Sequence, residues 1–179
     1  RDRYKTINSL RVPYKVSDKD RIQFVERHQV VEENNQKTFE IPYPDKELTG
    51  YSDAPYMVFL RGLFVPESQY TQTENKDTDK KYITFIDDLD SIKQGDQIDF
   101  VFCYTPGYTT ITKKEYNTEL TYEETSSIKL PYVYIELINL SERVMIFYGG
   151  SYIDASRYTI DRNTRIIKFL SLIHISEPT

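Results

Sequence analysis

The chain has 179 residues, enough for one ordinary domain or two small ones, with 39% hydrophobic and 28% charged residues. Its apolar share leans on 16 Tyr and 9 Phe without any Trp, which suits pleated, half-buried strands rather than a helical bundle. A net charge of −5 supplies no basic field, so a general nucleic-acid or membrane-surface binder is excluded, and no apolar run approaches the roughly 18 residues of a membrane span.

The chain opens "RDRYKTI", with neither an initiator Met nor a signal peptide, as an internal slice of a longer chain would. Residues 1–27 read as the C-terminal end of a preceding β-repeat, because "KDRIQFVE" (from Lys19) resembles "GDQIDFVF" (from Gly95). Residues 28–104 then read as one complete repeat. His28, between Arg27 and Gln29, reads as a surface strand residue rather than a catalytic base. "TFEIPY" alternates, with Phe39 and Ile41 on one face. "YMVFL" and "LFVP" flank Arg61-Gly62, the pattern of a tight hairpin. Because Arg resists positive φ, the expected turn is type I with Gly62 left-handed as a bulge.

"NKDTDK" sets Asn75, Asp77 and Asp79 at the first ligand positions of a calcium loop, but Lys80 stands where Gly is needed and Ile86 where Glu is needed. It therefore reads as a solvated hairpin loop. "YITFI" supplies the next strand. "DDLDSIKQGD" follows as a loop with at most one helical turn, its Asp87, Asp88 and Asp90 charged and solvated, and Gly95-Asp96 as the re-entry turn. In "QIDFVFCY" the residues Ile98, Phe100 and Phe102 alternate inward. Cys103 is the only cysteine, so neither an intrachain disulfide nor a zinc site is available to it alone. Residues 105–128 are polar and read as a connector bridging two units, with "TPGY" as a turn and room for an extended strand. Tyr104, Tyr108, Tyr116 and Tyr122 could form a sugar-stacking face, but strand propensity accounts for them better at this abundance of Tyr.

Residues 129–169 read as the truncated start of another repeat. "MVFLRGLFVPESQYT" (from Met57) lines up without a gap on "MIFYGGSYIDASRYT" (from Met145), at an offset of 88. Gly62 meets Gly150, and Tyr70-Thr71 meets Tyr158-Thr159; downstream, "YITFI" meets "IIKFL" after an interval four residues shorter. An ungapped match of fifteen positions followed by ordered matches argues for a true repeat. The expected class is all-β, built as tandem small antiparallel β-sandwich or barrel-like domains. The second copy stops before a Gly-Asp turn and closing strand, so residues from about Lys129 onward are expected to carry an unpaired edge and little stability of their own. No P-loop, dinucleotide glycine pattern, HExxH or GxSxG occurs, and no catalytic, cofactor-binding or metal residue is assigned.

The order of an apolar strand, Gly turn, apolar strand, Tyr-Thr, Ile-Thr-Phe, a loop, Gly-Asp and alternating Ile-x-Phe resembles a repeat of bacteriophage tail-fibre and related virion proteins. Val58, Phe59, Gly62, Tyr70, Thr71, Ile83, Thr84, Phe85, Gly95, Asp96 and Ile98 carry it. Arg61 replaces the usual Asn, and "DDLDSIK" an Ala-Pro segment. The resemblance implies a non-enzymatic fibre or baseplate segment in the virion that spaces or presents a receptor-binding tip. It also implies self-association, often as a homotrimer, contact with other virion proteins, and a host glycan or protein as the tip's target. Alternatives are a bacterial cell-surface adhesin or carbohydrate-binding β-sandwich, and an accessory domain of a polysaccharide-degrading enzyme.

The last ten residues, "LSLIHISEPT" (170–179), match nothing upstream. They resemble, at every position, the in-frame translation of a transposase adapter used in preparing sequencing libraries. They are expected to be non-native, so His174 carries no functional weight.

Overall fold

In the computed structural model, described for residues 4–11, 23–45, 53–86, 92–104, 112–119, 127–129, 143–161 and 163–170, the chain is all-β and divides into two compact units. The first unit is Asp20–Thr109, and the second combines Arg1–Lys19 with Thr110–Thr179. Strand β1 (Tyr4–Arg11) precedes the strands of the first unit: β2 (Gln23–Val30), β3 (Thr38–Glu40), β4 (Tyr56–Leu60), β5 (Leu63–Val65), β6 (Tyr70–Asn75), β7 (Lys80–Phe85) and β8 (Gln97–Tyr104). The second unit continues with β9 (Thr112–Glu119), β10 (Ser127–Lys129), β11 (Arg143–Tyr148), β12 (Ser151–Ile153), β13 (Tyr158–Asp161) and β14 (Ile166–Phe169).

In the first unit two antiparallel sheets, ordered β2-β8-β4-β5 and β3-β7-β6, share one core. The expected alternation is realised: Ile98, Phe100 and Phe102 of β8 are fully buried, and Phe39 and Ile41 lie with them. Each such side chain contributes about 1.5–3 kcal/mol on burial. Aromatic rings join the sheets. Tyr56 on β4 stacks on Tyr70 of β6 at 6.5 Å, and Tyr70 meets Phe85 edge-on at 6.2 Å. The outer face of the larger sheet also carries buried apolar side chains, Met57, Phe64 and Cys103.

The second unit has sheets ordered β12-β11-β1-β9 and β10-β14-β13, around Ile128, Ile146, Ile153, Tyr158, Ile167 and Phe169. Strands β9 to β14 take the same places in their sheets as β2 to β7 do, with Gln23 answering to Thr112 and Tyr70 to Tyr158. The position of β8, between β4 and β2, is taken here by β1, between β11 and β9.

These pairings differ from the sequence reading in three places. Residues 23–27 belong with the first unit, because β2 pairs with β8 along its whole length from Gln23↔Tyr104 to Val30↔Gln97. The likeness of "KDRIQFVE" to "GDQIDFVF" is therefore one between neighbouring strands, which alternate alike. Within the expected connector, Thr112–Glu119 forms β9, whose polar composition suits an edge position. The open edge expected from Lys129 onward is closed by β1, paired with β11 from Lys5↔Tyr148 to Leu10↔Arg143.

The hairpin turn also differs. Leu60 pairs with Leu63 across a two-residue loop in which Arg61 (φ 50°) and Gly62 (φ 77°) are both left-handed, a type I′ geometry instead of a type I turn with a bulge. The right-handed twist of the flanking strands matches I′ and outweighs the reluctance of Arg. In the second unit Gly149 (φ 57°) and Gly150 (φ 86°) make the same turn without a side chain to strain.

Candidate functional site at the Gly-Asp corner

The repeated motif residues build turns and core. After β5 and β12 the chain makes one 3-10 turn, Glu67–Gln69 or Ala155–Arg157, which delivers Tyr70 or Tyr158 into the core. Asp154 caps the second of these turns, its Oδ1 accepting from the Ser156 amide at 2.9 Å. Each tyrosine faces the last Phe of its hairpin, Tyr70 on Phe85 and Tyr158 on Phe169 at 6.3 Å. Burial pushes the Tyr158 hydroxyl up to about 12, with the charges of Tyr152 and Asp154 adding to it. Thr71 and Thr159 are the next residues along the strand, and both are exposed.

At the other end of the unit, Gly95 (φ 91°) and Asp96 form the corner that leads into β8. Gly95 donates its amide to the Val31 carbonyl at 2.9 Å, and the Val31 amide returns to the Asp96 carbonyl at 2.8 Å. The Asp96 carboxylate accepts from the Lys93 amide at 2.9 Å and from Arg61 Nη1 at 2.7 Å. The Lys93 amide, then Arg61, holds the Asp96 carboxyl below the usual carboxylate range. The Arg61 amide also donates to the Gln97 carbonyl at 2.9 Å. The Gly-Asp pair and the Arg-Gly turn are thus one corner, although 35 residues separate Arg61 from Asp96.

Beside it, on the outer face of the larger sheet, His28 Nδ1 and the Asp99 carboxylate are bonded across β2 and β8. Gln97 Nε2 donates to the same carboxylate at 2.7 Å. The hydrogen bond to Asp99, then its charge, raises the His28 pKa. His28 remains exposed, so this is a titrating charge pair on a sheet surface.

Other expected features fall as follows. Asn75 Oδ1 accepts from the Asp77 amide at 3.0 Å inside a four-residue hairpin loop closed by Asn75↔Lys80. The described tyrosines do not make the sugar-stacking face. Tyr104 is buried with its hydroxyl donating to Gln23 at 2.8 Å, and Tyr116 packs against the second core. Tyr108, Tyr122, Asp87, Asp88, Asp90 and the tail beyond Leu170 lie outside the described residues. Among the described residues no three His, Cys, Asp or Glu side chains gather as metal ligands would, and no helix is long and apolar enough to cross a membrane.

The sequence reading missed five ion pairs among the described residues: Arg61 with Asp96, His28 with Asp99, Lys80 with Glu40, Lys81 with Asp53, and Lys113 with Glu115 at 2.9 Å. Only the first left a signal, the departure from Asn at position 61. No protein family, curated protein or solved structure matches the chain.

Proposed function

We propose that the chain is a non-enzymatic structural segment of a phage tail fibre or related virion appendage, which spaces or presents a receptor-binding tip. One observation carries the reading: most of the residues common to the two units are spent on turns and core. Gly62 and Gly150 make the hairpin turns, and Tyr70 and Tyr158 fill the cores. Small β-units in series extend a stalk without needing one large core. On this reading the chain self-associates, as a homotrimer, abuts other virion proteins, and leaves contact with a host glycan or protein to the tip. Antibodies raised against the chain should decorate tail appendages of purified virions in immunogold electron microscopy. Gold on bacterial envelopes and none on virions would overturn the reading in favour of a cell-surface adhesin.

A further inference from the structure

Lys113 and Glu115 take no part in the turns, corner and core described above. Both side chains are buried on one face of β9, with Nζ 2.9 Å from Oε2. Burial costs both charges their water, so packing alone does not favour the pair. The β1–β9 ladder sets Asn8 directly opposite Glu115, and Leu10 opposite Lys113. Residues opposite each other have Cβ atoms about 4.5–5.5 Å apart, and diagonal neighbours about 7–8 Å apart remain within reach of a long side chain. Asn8 is thus opposite the Glu and diagonal to the Lys. Residues bearing an amine, a carboxylate and a carboxamide occupy adjoining positions of two strands.

The first unit supplies a control. Its equivalent pairs are Val101↔Glu26 and Cys103↔Phe24, because Thr112 answers to Gln23 and β1 takes the place of β8. The Glu is common to both units. The Lys and the Asn occur together in the second unit, where the first has Phe24 and Val101. These two changes, one on each strand, set a nucleophile and an electrophile beside the same carboxylate position.

We propose that Lys113 and Asn8 close an amide bond within the chain, Nζ to Cγ, with Glu115 as the proton carrier. The ion pair seen in the structure is the state before reaction. Glu115 takes a proton from the Lys113 ammonium, which in a dry setting leaves two neutral groups. The amine attacks Cγ of Asn8. Glu115 then gives its proton to the Asn8 nitrogen and takes the second proton from Nζ, so the Cγ–Nδ2 bond breaks and ammonia leaves. One amide replaces another, and the balance needs no oxidant or reductant. The bond locks β1 onto β9 in the ladder that closes the second unit. This inference stands on the strand register and the buried pair, and is independent of the virion reading.

The test is the intact mass of the purified full-length chain, followed by peptide mapping. The expected mass is one ammonia below that of the sequence, with residues 8 and 113 recovered in one branched peptide. Asn8→Asp should close the same bond with loss of water in place of ammonia, a change that a purely structural Asn would not produce. Asn8→Ala and Lys113→Arg should each return the chain to its sequence mass. Glu115→Asp, which keeps a carboxylate, should retain more of the bond than Glu115→Gln. Equal bonding in those two variants would remove Glu115 from the reaction. A full-length chain at its sequence mass overturns the proposal. So does a loss of ammonia that maps to Asn8 alone, as a cyclic imide within β1, with Lys113 unmodified.

Discussion

The guanidinium of Arg61 donates to the carboxylate of Asp96 at 2.7 Å, tying the turn between β4 and β5 to the corner that leads into β8. Arg61 holds this bond from a left-handed backbone, φ 50°, that disfavours any residue with a Cβ by about 1–2 kcal/mol. The ion pair is exposed on the Arg61 side, and exposed pairs contribute little. Arg61→Gly is therefore expected to leave thermal stability unchanged or to raise it by about 1 kcal/mol. The reciprocal Gly149→Arg meets open space around its Cβ, so its cost is backbone strain alone, about 1–2 kcal/mol. Denaturant melts of the two variants check both signs. A clear loss on Arg61→Gly would mean that the bond to Asp96 outweighs the strain.

Stability should peak on the mildly acidic side of neutrality. Asp96, Asp154 and Asp161 are held below the usual carboxylate range chiefly by backbone amides, from Lys93, Ser156 and Thr164 respectively. Their contribution is present above the unfolded value of about 3.9 and is lost as pH falls through the depressed folded values. His28 behaves in the opposite sense, because its pKa is raised by Asp99. Its contribution is complete below about pH 6.5 and disappears as pH rises through the folded value. Melting temperature measured from about pH 3 to 9 should therefore fall on both sides. Asp99→Asn should flatten the alkaline side alone; an unchanged alkaline slope in that variant would remove His28 as its source.

Lys113 and Glu115 stand two residues apart on β9, so they share a strand face, and their side chains are 9% and 1% exposed. A buried ion pair adds little over an apolar pair of the same size, but removing one charge takes away the counter-charge the pair supplies. Glu115→Gln is expected to destabilise by about 3–5 kcal/mol. Replacing both, as Lys113→Met with Glu115→Leu, should recover most of that loss. Urea titration of the two variants decides the matter, and a small effect of Glu115→Gln would show that water or another group compensates Lys113.

Period-two alternation made much of the fold legible. "TFEIPY" and "QIDFVFCY" name their buried residues directly, because a strand with one core face leaves only one phase for Phe39, Ile41, Ile98, Phe100 and Phe102. The Gly-Asp and Ser-x-Tyr-Thr motifs likewise lie at a corner and a 3-10 turn. What remained hidden depends on partners far away in sequence. β1 carries Lys5 and Ser9 where β8 has Ile98 and Phe102, so nothing in "YKTINSLR" marks a closing strand until β11 lies beside it. β9 looks like a linker because an edge strand tolerates polar residues. The left-handed Arg61 is set by the twist of the strands around it, which residue type does not reveal.

The two hairpins that follow the 3-10 turns differ in length but keep the same strand phase, and they predict which deletions will be silent. β6 and β7 have six residues each, whereas β13 and β14 have four, so each arm is shorter by two. The outer pairs, Tyr70↔Phe85 and Tyr158↔Phe169, are equivalent, and both hairpins end in a four-residue loop whose last residue is left-handed, Asp79 or Arg165. Removing two residues from each arm leaves every remaining side chain on its own face, because the period is two. Deleting Thr73, Glu74, Lys81 and Tyr82 from the first unit brings Gln72↔Ile83 next to Asn75↔Lys80, which reproduces Ile160↔Ile167 next to Asp161↔Ile166. This variant should fold with native-like circular dichroism and amide protection. Deleting only Glu74 and Lys81 shifts the inner end of each arm by one residue, so Thr73 and Tyr82 adjoin the loop with its faces reversed. That smaller deletion should lower the melting temperature more than the larger one does, and the opposite order would show that the hairpin does not rely on strand phase.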